Sequence, residues 1–324
     1  MGTYISRARA SIVIFLASLV LPLLLPNCYS PSVLIASAQI PELSDADLLE
    51  FPLNLEYLEA EFFLFRAFGY GLDVAAPNLT GGGPPPIGAK KVELDSLAKD
   101  VILQFAFQEV GHLRAIKSKV TGFPRPLLDL SSASFAKLMD SAVEKPLVPP
   151  FDPYANSLNF IIASYVIPYV GLTGYVGVNP LLQNATSRKN YNLISNSHKD
   201  KVHIHEQLVA GLLGVESGQD AVLRELLYEC KVQLVAQYKV TVAEFTNRIS
   251  IHRSKLGNMG MKDEGIIVPK ELGAESRVRG NILAGDDDSL AYSRTPEEIL
   301  RIVYGSDHED VCGGFYPNGA SGLI

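Results

Sequence analysis

Several absences narrow the chemistry of this 324-residue chain before any motif is read. There is no Gly-x-Ser-x-Gly elbow, and Cys230 and Cys312 lack a recognisable base context, so serine or cysteine hydrolase chemistry finds no support. Gly81 to Pro86 (Gly-Gly-Gly-Pro-Pro-Pro) is not followed by Lys-Ser/Thr at phosphate-loop spacing, which excludes the usual nucleotide cradle. Basic residues are outnumbered, 28 Lys+Arg against 35 Asp+Glu, and form no stripe. That argues against nucleic acid and against attraction to anionic membranes. No charge of either sign occurs between Asp152 and Arg188. Such a run reads as a membrane span or as a fully buried helix. Pro168, four tyrosines (Tyr154, Tyr165, Tyr169, Tyr175), Asn156 and Asn159 favour burial.

The N-terminus has the pattern of a secretory leader. Arg7 and Arg9 precede the apolar run Ala10 to Leu25, and Ala36-Ser37-Ala38 offers small residues for cleavage before Gln39. Residues 1–38 are therefore expected to be a signal peptide, and the mature protein to be secreted, in the apoplast or cell wall. An uncleaved anchor is the alternative; Pro22 and Pro26 break its short apolar core. No membrane partner is expected once the leader is gone. Without those 38 residues, which hold two basic and no acidic side chains, 26 Lys+Arg face 35 Asp+Glu. An oxidising compartment would allow Cys230 and Cys312 to pair. Asn78-Leu-Thr80 and Asn184-Ala-Thr186 are glycosylation sequons, as suits a secreted glycoprotein.

The 47% hydrophobic content is ample for a large core. Four long helices are expected: Ala46 to Phe68, Leu94 to Val120, Tyr154 to Val178, and Leu208 to Glu229. Ser44 or Asp45 can cap the first, and Gly69 or Gly71 can end it. One short helix is expected within Ser131 to Pro150. Another runs from Val242 to Ile251, and a third starts at Thr295-Pro296-Glu297-Glu298. The rest of the C-terminal third is glycine-rich and aperiodic, as expected of ordered loops wrapping a bundle.

Three of the long helices carry carboxylates in the middle of apolar faces. At about 100° per residue, Glu109 shares a stripe with Ile102, Phe105 and Leu113, with His112 at its margin. Glu56 lies with Leu49 and Phe63, and Glu59 is one turn on; Glu216 lies with Val209, Leu212 and Leu223, with Gln219 three residues on. An ionised carboxylate buried without a partner costs several kcal/mol, so a metal, a proton or a hydrogen-bond network must neutralise it. Carboxylate-bridged di-metal sites in four-helix bundles use one Glu from each of two helices and Glu-x-x-His from the other two. This chain falls short of that set. The third helix supplies no carboxylate, and Gln219 stands where a second histidine would be. Three carboxylates and one imidazole could hold one metal, iron or manganese, rather than two. A metal-free hydrogen-bond network with one protonated carboxylate is the alternative, as is a helix register that separates these groups.

The stretches Leu53-Asn-Leu-Glu56-Tyr-Leu-Glu59-Ala-Glu61, Glu109-Val-Gly-His112 and Leu208 to Asp220 resemble the plant desiccation-related proteins with a ferritin-like domain. So do Thr241 to Ser250, Lys262-Asp-Glu-Gly265 and Arg294 to Tyr304. The resemblance implies an all-α ferritin-like four-helix bundle over residues 39–240, with a C-terminal extension, 241–324, packed on it. It also implies a secreted, stress-associated protein. Against the family's blocks, Asn190 to Gln207 stands as an insertion, expected to be an unstructured surface loop that comes from retained intron sequence or a gene-model error. It contains His198, His203 and His205, but His203-Ile-His205 lacks a third ligand.

Two functions compete. One is a non-catalytic protectant with a degenerate site, binding a cell-wall or protein partner or forming a homo-oligomer. The other is a manganese- or iron-dependent oxidoreductase acting on peroxide or superoxide. The hypothetical ligand set is Glu56, Glu59, Glu109, His112, Glu216 and Gln219.

Overall fold

The structure, a computed structural model, describes residues 44–187 and 196–322, with the side chains of 183–187 and 196–206 excepted. The expected leader, residues 190–195 of the expected insertion, and the side chains of Asn184, His198, His203 and His205 lie outside the described residues.

The expected first helix is two helices. α1 (Asp45–Glu50) starts in a reciprocal capping box between Ser44 and Asp47, and α2 (Leu53–Phe68) follows after Phe51-Pro52. Pro52 is the cause, because it brings no N–H and its ring crowds the preceding turn. Gly69, at φ 82°, ends α2 in the left-handed conformation that glycine adopts freely. A single helical turn, Leu72–Ala75, and the Gly-Pro loop lead to α3 (Ser96–Lys117), capped by the Asp95 side chain. α4 (Ser132–Ala142) is the expected short helix.

Pro168 splits the charge-free segment in the same way, into α5 (Ser157–Ser164) and α6 (Pro168–Ser187). The break frees carbonyls, and buried Arg253 caps two of them: its Nη1 donates to Tyr165 O at 2.6 Å and to Val166 O at 3.1 Å. Ser157–Leu182 is long and apolar enough to cross a membrane, yet 89% of its most apolar window is buried within the protein. It forms the interior of the bundle.

α7 (Asn196–Glu229) corrects the insertion reading for residues 196–207, which are helix rather than loop. No glycine or proline occurs between Asn190 and Gln207, so nothing local stops α7 from extending toward its N-terminus. α7 packs along α6, and α2 along α3, giving the two helix pairs of the bundle.

Beyond α7 an unanticipated hairpin, β1 (Leu234–Val235) with β2 (Val240–Thr241), delivers Thr241 as the cap of α8 (Val242–Gly257). α9 (Pro296–Tyr304) begins at the expected Thr295–Glu298 capping box. The extension closes on the bundle through specific bonds. Asn54 exchanges two hydrogen bonds with the backbone of Ser321, both 2.8 Å, and Tyr316 donates to Asn54 O at 2.8 Å. Arg294 N donates to Thr173 O of α6 at 3.0 Å, an approach open only because residue 177 is glycine: a Cβ there would lie 2.1 Å from Arg294 O.

Candidate metal centre

The apolar faces of α2, α3 and α7 turn inward, and packing them against α6 brings their carboxylates to one place. Glu56, Glu59, Glu109, His112, Glu216 and Gln219 are all buried, none more than 8% exposed. Glu56, Glu109, His112 and Glu216 each offer a ligand atom within 4.8 Å of the others. A helix register that separates these groups is thereby excluded.

His112 is the hub. Its Nδ1 lies 3.1 Å from Glu56 Oε2, 3.1 Å from Glu109 Oε2 and 3.4 Å from Glu216 Oε1, so one nitrogen faces carboxylates from three helices. Gln219 does not complete a second Glu-x-x-His. Its amide Nε2 donates to Glu109 Oε1 at 2.5 Å and to Gln108 Oε1 at 3.1 Å, holding Glu109 in place.

The fourth side of the site has no carboxylate, as expected, but it is not empty. Tyr175 of α6 donates its hydroxyl to Glu56 Oε1 in a short hydrogen bond. One turn earlier, Gly171 brings backbone against the cluster: a Cβ there would sit 3.1 Å from Glu59 Oε1 and 3.2 Å from Glu216 Oε2. Sequence reading took the tyrosines of this helix only as signs of burial and missed both roles. The available signal was their spacing, since residues four apart share a helix face.

Glu59 joins Glu56 instead of substituting for it, so the site holds four carboxylates and one imidazole. Burial, then the charges of Glu216, Glu109 and Glu56, push the Glu59 carboxyl well above its usual range. Burial and its acidic neighbours do the same to Glu109, and burial lifts Glu216 to about 7. Burial also acts to raise Glu56, but the charge and hydrogen bonds of His112, with bonds to Glu109 and Tyr175, hold it low. Burial opposes charge on His112, but Glu56 and the hydrogen bonds to Glu109, Glu216 and Glu56 raise it.

These residues fit a cation. Glu59 Oε2, Glu216 Oε2 and Gln219 Oε1 are buried with no hydrogen-bond partner, and all three are acceptors. Orphaned buried acceptors are costly, and an excess of them around one imidazole is what a divalent ion relieves.

A family model described as a ferritin-like domain matches residues 44–229. This chain belongs to the ferritin-like family. Among its ferritin-like relatives, it is 54% identical over 281 residues to the ferritin-like catalase Nec2 of Nesocodon mauritianus, covering 87% of this chain and 85% of the relative. It is 55% identical over 279 residues to the desiccation-related protein PCC13-62 of Craterostigma plantagineum, covering 86% and 83%. No solved structure matches the chain. The expected fold and the resemblance to desiccation-related proteins both hold.

Two other expectations concern the surface. Asn78 is exposed, as a glycan acceptor must be. The pairing of Cys230 with Cys312 is not formed: Cys230 is a free thiol. It lies at the end of α7, with Sγ turned back on its own helix, 3.3 Å from Leu226 O and 3.5 Å from Leu227 O.

Proposed function

We propose that this ferritin-like protein binds a redox-active divalent cation, manganese or iron, in the Glu56–Glu109–His112–Glu216 cluster and disproportionates hydrogen peroxide. The convergence of one imidazole nitrogen with carboxylates of three helices carries this reading. The similarity to a relative named a catalase directs it to peroxide. When bound, the cation supplies the electron exchange by which one peroxide is reduced to two waters while a second is oxidised to dioxygen, 2 H2O2 → 2 H2O + O2.

The protein's own residues divide the remaining work. Glu56, Glu109, Glu216 and His112 are the ligands, with Glu59 beside them. Tyr175 orients Glu56, and Gln219 orients Glu109, as outer partners fix the ligands of metal sites. Burial keeps bulk water out, and glycine at 171 lets the α6 backbone close against Glu59 and Glu216, where a Cβ would stand 3.1 and 3.2 Å from their oxygens. The leader motif and the likeness to a desiccation-related relative support work outside the cell during water loss.

Oxygen evolution from peroxide by the purified, metal-loaded protein tests the reading. Turnover is expected to disappear in Glu109→Gln and His112→Ala. Absence of turnover with metal bound would sink it. The competing reading, a metal-free network in a non-catalytic protectant, draws on the Gln219–Glu109 bond, which occupies one oxygen of a ligand.

A further inference from the structure

Two helices of the cluster carry a glutamate followed three residues later by a second polar side chain, and the two pairs behave differently. On α3 the pair is Glu109 and His112; on α7 it is Glu216 and Gln219. His112 turns Nδ1 into the cluster, 3.1 Å from both Glu56 Oε2 and Glu109 Oε2. Gln219 reaches across to α3 instead. Its Nε2 donates to Glu109 Oε1 at 2.5 Å and to Gln108 Oε1 at 3.1 Å. Gln219 is 2% exposed and Glu109 fully buried, so water does not compete for the bond between them.

That bond divides the oxygens of Glu109. Oε2 faces His112, while Oε1 is taken by a donor. A carboxylate that bridges two cations gives one oxygen to each, so Glu109 as held serves one. Charge is not what limits the count, because Glu56, Glu59, Glu109 and Glu216 together match two divalent ions. Oxygen is not short either: Glu59 Oε2 and Glu216 Oε2 are buried without a hydrogen-bond partner. Yet Glu59 stands outside the group whose ligand atoms lie within 4.8 Å of one another. The Glu59–Glu216 side lacks an imidazole and a bridging oxygen. Gln219 accounts for both, since its amide N–H can only donate, and it donates to Glu109.

We propose that Gln219 sets the number of cations. It confines the centre to one, held by Glu56, Glu109, His112 and Glu216, and leaves Glu59 beside Glu216 as the unused ligand of a second seat. The proposal rests on the cation reading above and deepens it.

Manganese(II) titrated into the metal-free protein tests it, with bound metal counted by mass spectrometry and its surroundings read by electron paramagnetic resonance. The unsubstituted protein should hold about one equivalent and show the hyperfine-split signal of an isolated ion. Gln219→His frees Glu109 Oε1 and supplies an imidazole three residues after Glu216. It should hold about two equivalents and show the broadened signal of an exchange-coupled pair. Adding Glu59→Gln to that variant should return it to one, whereas Glu59→Gln alone should leave the single ion in place. Two coupled ions in the unsubstituted protein, or one in a folded Gln219→His variant, would overturn the proposal. Should Gln219→His not fold, Glu59→Gln alone decides: loss of the single ion would make Glu59 a ligand of the first seat and overturn the proposal, and retention supports it. A folded, unsubstituted protein that takes up no manganese removes the cation reading itself, an outcome distinct from a wrong count.

Discussion

At the scale of single residues, the site balances negative charge against one imidazole, and protons and a cation compete for the same oxygens. The carboxyls of Glu59 and Glu109 are raised, and that of Glu216 reaches about 7. The metal-free fold therefore binds more protons than the unfolded chain from the ordinary carboxylate range up to neutrality. His112, also raised, has the same sign above its ordinary value. Stability of the metal-free protein should thus fall as pH rises from 5 to 8. Cation binding displaces those protons, so affinity should rise over the same interval. Thermal unfolding with and without manganese should show a gap in Tm that widens with pH; a constant gap would contradict this protonation scheme. Tyr175→Phe, which removes the hydroxyl bound to Glu56, should weaken metal affinity about 10- to 100-fold by titration calorimetry without unfolding the protein. The acidic residues and His112 were legible because a carboxylate on an apolar stripe is conspicuous. Tyr175 and Gly171 were not, because a tyrosine and a glycine on a buried helix have packing roles that explain them equally well.

At the scale of elements, capping signals located most helices, and prolines decided where long ones divide. The Thr295 and Ser44 capping boxes formed as their residues imply. Pro52 and Pro168 broke helices that hydrophobic periodicity alone continued, since periodicity carries no information about a missing N–H. The cost at Pro168 is offset by Arg253, whose guanidinium also pairs with buried Asp263. Arg253→Met should destabilise the protein by about 3–5 kcal/mol in chemical denaturation, because it strands a carboxylate and two carbonyls. An effect below about 1 kcal/mol would mean the break is capped by other means. The extension of α7 to Asn196 was illegible because its first turns are polar all round, a pattern shared by loops. Lys201→Pro should cost about 3 kcal/mol if these turns are helix. A loop would tolerate it.

At the scale of the whole molecule, residues far apart in sequence jointly define the site. Ser321 is tied to Asn54, two residues before Glu56, and Arg294 to Thr173, two residues before Tyr175. The C-terminal extension is thus part of the frame that sets the ligands, which composition and periodicity could not show because it has neither a helical nor a strand pattern. The ferritin-like bundle was legible from three acidic helices and the family blocks; the role of the wrap depended on individual hydrogen bonds.

The account's central claim is that the buried cluster is a metal site, and metal content of the purified protein by mass spectrometry tests it most directly. Manganese or iron should be present near one equivalent per chain and be lost in Glu109→Gln/His112→Ala, with the fold retained by circular dichroism. A folded protein that carries no metal, and takes up none when manganese or iron is supplied, would contradict it.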